Sequence, residues 1–124
     1  MARFRLSRPA QADLARILSA SLERWGRAGR RRYAATLAAT MRKVANEPRG
    51  VGTRDCGELL TGLRRLHLRH AGARGSDIHV RRPVHVLYFR LIQPDLVEIV
   101  RILHERMEPG RWLQTGSEGE EQDR

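Results

Sequence analysis

"VEIVRILHERM", residues 97–107, holds the turning point of the chain. As far as Leu103 it is rich in Val, Ile and Leu and reads as a β-strand. At His104 it changes into a polar, charged run. Strict alternation puts Val97, Ile99 and Leu103 on one face of that strand and Val100 and Ile102 on the other. Both faces are partly apolar, so both need cover. A histidine at a strand exit either performs acid–base chemistry or marks where the strand stops.

Working back from this strand, "VHVLYFRL" (84–91) is the strongest strand signal in the sequence, with the β-branched and aromatic residues typical of a central strand. "QPD" (93–95) between the two is short enough for a hairpin. "LRRLHLRH" (63–70) is an earlier strand carrying Leu66 and Leu68. The connection "AGARGSDIHVRRP" (71–83) is longer. Within it "DIHV" adds a short strand that Pro83 ends or keeps at an edge. Residues 48–62, "PRGVGTRDCGELLTG", read as a loop from their Gly, Pro and Asp content.

The N-terminal half has a different period. "RFRL" (3–6) alternates and is a short first strand, expected at the sheet edge. Ser7 is placed to cap a helix, and Pro9 fits its first turn. Leu14, Ile17, Leu18, Leu22 and Trp25 make one helical stripe from Ala10 onward. Gly26 and Gly29 break it. A second helix runs from about Arg30 to Asn46 and aligns Tyr33, Leu37, Met41 and Val44. Its Ala34, Ala35, Ala38 and Ala39 permit close packing, and Pro48 ends it. So short a turn predicts an antiparallel helical hairpin, with Trp25 and Tyr33 packed inward. The order of elements argues for an α+β fold. An N-terminal strand and a helical hairpin (8–47) pack on a mostly antiparallel sheet of three to four strands. Leu14, Ile17, Leu37, Met41, Val86, Tyr88, Ile99 and Leu103 are expected in the core.

One domain over 1–113 accounts for all of this. Residues 114–124, "QTGSEGEEQDR", form an acidic tail expected to be disordered. The chain of 124 residues carries a net charge of +10. The tail holds Glu118, Glu120, Glu121 and Asp123 against Arg124, so the rest stands at +13. Lys43 is the one lysine among 24 basic residues. A G+C-rich genome explains the choice of arginine over lysine but not the net charge. Such a body should seek an anionic partner, nucleic acid or acidic protein. No apolar run is long enough to span a bilayer, no secretory h-region opens the chain, and Cys56 is a lone cysteine; a cytoplasmic protein is expected.

Four segments in order resemble the ParE toxins of the RelE/ParE superfamily, across residues 4–113. These are "FRLSRPAQADLARI", "ELLTGLRRLHL" with its Gly62-Leu63-Arg64, "HVLYFRL", and "VEIVRILHERMEPGRWL". The long 71–83 connection departs from the family pattern. The resemblance implies a small RelE/ParE-like toxin of a type II toxin–antitoxin system. It implies a poison that binds DNA gyrase, is not an enzyme, needs no cofactor, and is neutralised by a ParD-like antitoxin whose toxin-binding segment is acidic. DNA would be met only indirectly, through the antitoxin, and a membrane not at all.

The rival is a RelE-type messenger RNA endonuclease. That chemistry needs a base for the 2′-hydroxyl, an acid for the leaving oxygen and cations for the phosphate. His104 with Arg64, Arg82 and Arg90 could supply these, and Glu58 could assist. But such nucleases tend to place a tyrosine near the C-terminal end, and no tyrosine follows Tyr88. Among so many arginines a few on strands are expected by chance. His104 is therefore read as structural, tying the tail to the sheet. His67, His70, His79 and His85 lack the spacing and cysteine partners of a zinc site, so no metal is expected. A DNA-binding regulator is disfavoured because the alanine-rich helices lead into a sheet. Expected target contacts are Arg101, His104, Glu105, Arg106 and Met107. Expected antitoxin contacts are Arg24, Arg27, Arg30 and Arg31, in "RWGRAGRRRY" (24–33), where charge complementarity would speed encounter.

Overall fold

The computed structural model describes residues 2–71 and 82–113. The expected "DIHV" strand, His79 and the acidic tail lie outside them. The elements are β1 (Arg3–Leu6), α1 (Arg8–Asn46), β2 (Arg54–Asp55), β3 (Leu63–His67), a 3₁₀ turn (Leu68–His70), β4 (His85–Gln93) and β5 (Leu96–His104). They form one five-stranded sheet in the order β1-β5-β4-β3-β2. The fold is α+β, as the segment order predicts.

Two features of the sheet were not anticipated. β1 takes the expected edge position but pairs parallel to β5, from Arg3↔Leu96 to Leu6↔Ile99. β2 is a two-residue strand on β3 inside the stretch read as a loop. Two residues are too few to display a period. The strand expected to reach residue 70 stops at His67, where His67 Nδ1 accepts from the Arg69 amide at 3.1 Å and the chain enters the 3₁₀ turn.

Helix α1 consists of two helical arms that meet at a kink at one residue. Gly26 sits at φ 72°, ψ −171°, which divides the helix into arms 8–25 and 27–46. That region of backbone space is essentially reserved for glycine. The break is narrower than the Gly26–Gly29 turn read from sequence, because Gly29 is helical. Gly29 serves close approach instead: a Cβ there would collide with Trp25 Cβ. Both arms feed one core. Ile17 from the first and Leu37, Met41 and Val44 from the second cluster with Leu87, Phe89 and Ile99 of the sheet.

The opposite sheet face carries a second apolar cluster of Leu63, Val86, Tyr88, Val100, Leu103 and Leu113, with Cys56, Leu59 and Leu60. The 56–60 loop and the segment after β5 thus cover the second face. Leu103 was expected beside Val97 and Ile99, and this is corrected by a bulge. Tyr88 faces Arg101 and Phe89 faces Ile99, which leaves Val100 as an extra residue. An extra residue reverses strand parity. Ile102, not Leu103, then joins Val97 and Ile99 under the helix.

Candidate functional site

β1 ends at Leu6, so β5 has a bare edge beyond Ile99. The start of α1 fills it. Ser7 donates its amide to Ile99 O at 3.0 Å and its hydroxyl to Val100 O at 2.8 Å, while its Oγ accepts from the Ala10 amide as the N-cap. One turn on, Asp13 Oδ2 accepts from the Ile102 amide at 3.0 Å. The Arg101 guanidinium meets the same carboxylate twice, Nε to Oδ2 and Nη2 to Oδ1, each at 2.8 Å. Its Nη1 donates to Trp112 O at 2.9 Å. Both Asp13 and Arg101 are buried. This pair fixes helix, sheet and C-terminal segment together, and the paired geometry satisfies the buried charge.

Beside it, a row of rings crosses from helix to sheet. Trp25 stacks on Tyr33 with centroids 6.3 Å apart, Tyr33 meets His85 edge-on at 5.5 Å, and His85 meets His104 edge-on at 5.7 Å. The Tyr33 hydroxyl accepts from the Val84 amide at 3.2 Å and lies 2.6 Å from His85 Nδ1. With the Val84 N–H already donating, the hydroxyl donates to Nδ1, and the neutral ring carries its proton on Nε2. Burial, and then the neighbouring His104, push the His85 pKa down to about 4. Burial also raises the Tyr33 pKa, so both are neutral near pH 7.

The ring row and the Asp13–Arg101 pair form the inner wall of an open groove of about 930 Å³ between α1, the start of β4 and the exit end of β5. Its apolar lining includes Ile17, Trp25, Leu103, Met107 and Trp112. Trp25 is 54% exposed, and Leu22, Met107 and Trp112 also stand open to solvent. Asp13 and Arg101 cancel each other, which leaves Arg16, Arg24, Arg32 and Arg82 on the lining. Among the described residues no ion pair joins Arg24, Arg32 or Arg82 to a carboxylate. An apolar trough with a cationic rim suits an amphipathic, acidic guest.

The residues singled out from sequence separate here. Of the expected target contacts, His104 and Met107 line the groove, while Glu105 and Arg106 are exposed outside it. Arg101 is displaced from that surface set: it is internal, held by Asp13. Of the expected antitoxin contacts, Arg24 lines the groove, and Arg27, Arg30 and Arg31 are exposed on the helix away from it. Trp25, expected to pack inward with Tyr33, is instead exposed. His104 Nδ1 accepts from the Arg106 amide at 3.1 Å, a strand-end hydrogen bond. His67 reaches the same tail, with Nε2 2.7 Å from Glu105 Oε1. The hydrogen bond from His67 holds the Glu105 carboxyl below its usual range.

The set named for nuclease chemistry is not assembled. Arg64 donates to Pro48 O and Thr53 Oγ1, at 3.0 and 2.9 Å. Arg90 is paired with Glu98 at 3.0 Å. Arg90 lies five residues along β4 from His85, the partner of His104, or roughly 16 Å. Glu58 is exposed on the loop over the other sheet face. Only Arg82 shares the groove with His104. What sequence reasoning missed is that Tyr33, fifty-two residues earlier, reaches His85. The helical period turned Tyr33 inward but could not say which strand residue it would meet.

A helix broken at one glycine, laid on a mixed five-stranded sheet and leaving a basic groove at one end, defines a small α+β domain. Comparison with known proteins places it. The model of the family described as "ParE toxin of type II toxin-antitoxin system, parDE" matches residues 4–109. Toxin ParE1 of Caulobacter vibrioides is 38% identical over 104 residues, covering 84% of this chain and 90% of that protein. Toxin ParE1 of Mycobacterium tuberculosis is 32% identical over 111 residues, covering 90% and 97%. A solved chain described as "Chromosomal ParDE TA system from P. aeruginosa" superposes with a TM-score of 0.60 at 18% identity, covering 84% of this chain and 96% of that one. The chain belongs to the ParE toxin family of type II toxin–antitoxin systems. No helix of the described residues is long and apolar enough to cross a membrane.

Proposed function

We propose that this toxin acts in the cytoplasm by binding DNA gyrase, without catalysis, and that a ParD-like antitoxin neutralises it by laying an acidic amphipathic segment into the groove. The observation that carries the second half is the groove itself, with apolar side chains inside and arginines around it. The solved chain of similar fold is described as part of a ParDE TA system, which accords with a paired partner. The gyrase target rests on the family resemblance. His104 and Met107, expected to touch the target, share the groove with Arg24, expected to touch the antitoxin. One guest would therefore cover part of the other's surface, and neutralisation becomes competition.

Co-expression with the adjacent gene should rescue growth and co-purify both chains. Arg24→Glu with Arg82→Glu should lose the complex while the toxin stays folded. A toxin that purifies harmlessly alone, and a double variant that binds as well as the parent, would together defeat the reading. In a supercoiling assay run beside cleavage on translating ribosomes, the toxin should inhibit gyrase and leave messenger RNA intact.

The nuclease remains the second reading, favoured by one observation: Tyr33, His85 and His104 do gather. Against it, Tyr33 and His85 already satisfy one another, and Arg64 and Arg90 are engaged elsewhere.

A further inference from the structure

The chain leaves the described fold at Leu113, and the residue before it, Trp112, lines the groove. Eleven residues follow, 114–124, with Glu118, Glu120, Glu121 and Asp123 among them. That length reaches up to roughly 36 Å when extended, enough to cross the groove mouth. The groove that Trp112 lines carries its own set of arginines, of which Arg24, Arg32 and Arg82 have no carboxylate partner among the described residues. We propose that the acidic segment 114–124 rests on the arginine rim of the groove in the partner-free toxin, as a tethered competitor for the acidic guest.

The physical case rests on tethering and on charge. A short flexible tether gives its end an effective concentration of about millimolar, so even a weak ionic contact is substantially populated. The segment is almost without apolar residues, so it can cover the rim but cannot fill the trough. It should thus yield to a guest that brings apolar anchors. Its effect is to lower the guest's apparent affinity by the fraction of time the rim is covered, about two- to tenfold. The contact is electrostatic and near the surface, so salt should weaken it. The competition half of the proposal rests on the groove being the antitoxin site; the self-docking half does not.

The test keeps the full chain. Glu118→Gln, Glu120→Gln, Glu121→Gln and Asp123→Asn are combined, preserving length and leaving the core untouched. The first readout is the indole N–H resonance of Trp25, which lines the groove beside Arg24. In the parent it should shift as salt rises from low to high. In the neutralised variant it should sit at the high-salt position throughout. A synthetic 114–124 peptide added to the variant should move it back. A Trp25 signal that is the same in parent and variant at low salt overturns self-docking. So does a shift that appears only as protein concentration rises, because the occupant is then the tail of a second copy. The second readout is affinity for an acidic amphipathic peptide at low salt, expected to be two- to tenfold tighter for the variant. Equal affinities overturn the competition. A peptide that binds neither form, while Trp25 still responds to the tail, leaves self-docking standing, overturns the competition and rejects the groove as the antitoxin site.

Discussion

Asp13 and Arg101 meet through two 2.8 Å hydrogen bonds across 88 residues of sequence, both side chains buried. Asp13→Ala leaves a buried guanidinium without its counter-charge. It should destabilise the fold by about 3–5 kcal/mol, a large part of a small domain's total. Urea unfolding checks this. In a double-mutant cycle with Arg101→Leu, the pair should lose less than the sum of the single losses, because the second change removes the orphaned charge.

Gly26→Ala and Gly29→Ala should both destabilise, for different reasons. At Gly26 nothing lies within 4 Å of an added Cβ, yet φ is +72°. The cost there is backbone strain, about 1–3 kcal/mol. At Gly29 the backbone is helical and the obstacle is Trp25 Cβ. Trp25→Ala removes only a side chain and keeps that Cβ, so it should not rescue Gly29→Ala. Trp25→Gly should rescue it in part. Thermal melts of the three combinations separate the two causes.

Trp25→Ala alone should cost little stability, about 1 kcal/mol or less, since the ring is more than half exposed, stacked on Tyr33 and covered by the Arg24 guanidinium. As an aromatic anchor in the groove it should cost partner affinity about 2 kcal/mol or more, near thirtyfold. Calorimetric titration with the purified partner measures the second figure, and urea unfolding the first.

His85 makes the fold sensitive to acid. Its ordinary value of 6.5 applies when unfolded, and about 4 when folded. Between those values the unfolded chain holds the extra proton, so stability rises with pH. The stabilisation is complete above pH 6.5 and is lost progressively as pH falls to about 4. At roughly 1.4 kcal/mol per pKa unit the loss is at most about 3.5 kcal/mol. His85→Gln can still accept from Tyr33 and should flatten the curve between pH 6.5 and 4. An unchanged slope would remove His85 as the cause.

His104→Ala should lose one strand-end hydrogen bond, about 0.5–1.5 kcal/mol, and, on the binding mechanism proposed above, should leave gyrase inhibition close to the parent's. If ribosomal RNA-cutting activity exists and vanishes in this variant, with gyrase untouched by the parent, the catalytic reading replaces the binding one. Truncation after Leu103 is a poor companion test, because it removes buried Leu113 and the Trp112 carbonyl that Arg101 holds. Met107→Ala, at an exposed position in the groove, probes the target contact without touching the core.

The sequence disclosed what local patterning encodes. The Ser7 cap, the inward Leu37, Met41 and Val44, the four longer strands and the hairpin of the last two were legible, because each declares itself within a few residues. The face occupied by Leu103 was not, since a single extra residue at Val100 reverses the alternation without changing composition. Nor was the fate of Arg101. An arginine on a strand in so basic a chain reads as surface, and only the fold brings Asp13 across to bury it. The groove had the same invisibility. Its members come from the helix, from both long strands and from the segment beyond β5, and none announces the others.

The parallel pairing of β1 with β5 has a consequence in time. The first strand to leave the ribosome waits for the last, since Arg3 needs Leu96 and the second face needs Leu113. At about 5–20 residues per second, synthesis of these 124 residues takes roughly 6–25 s. For most of that interval the helical arms have no sheet to lie on and the groove has no far wall. The groove thus takes shape only after residues 96–113 have been made, and an antitoxin already present at that moment would meet the toxin as it folds.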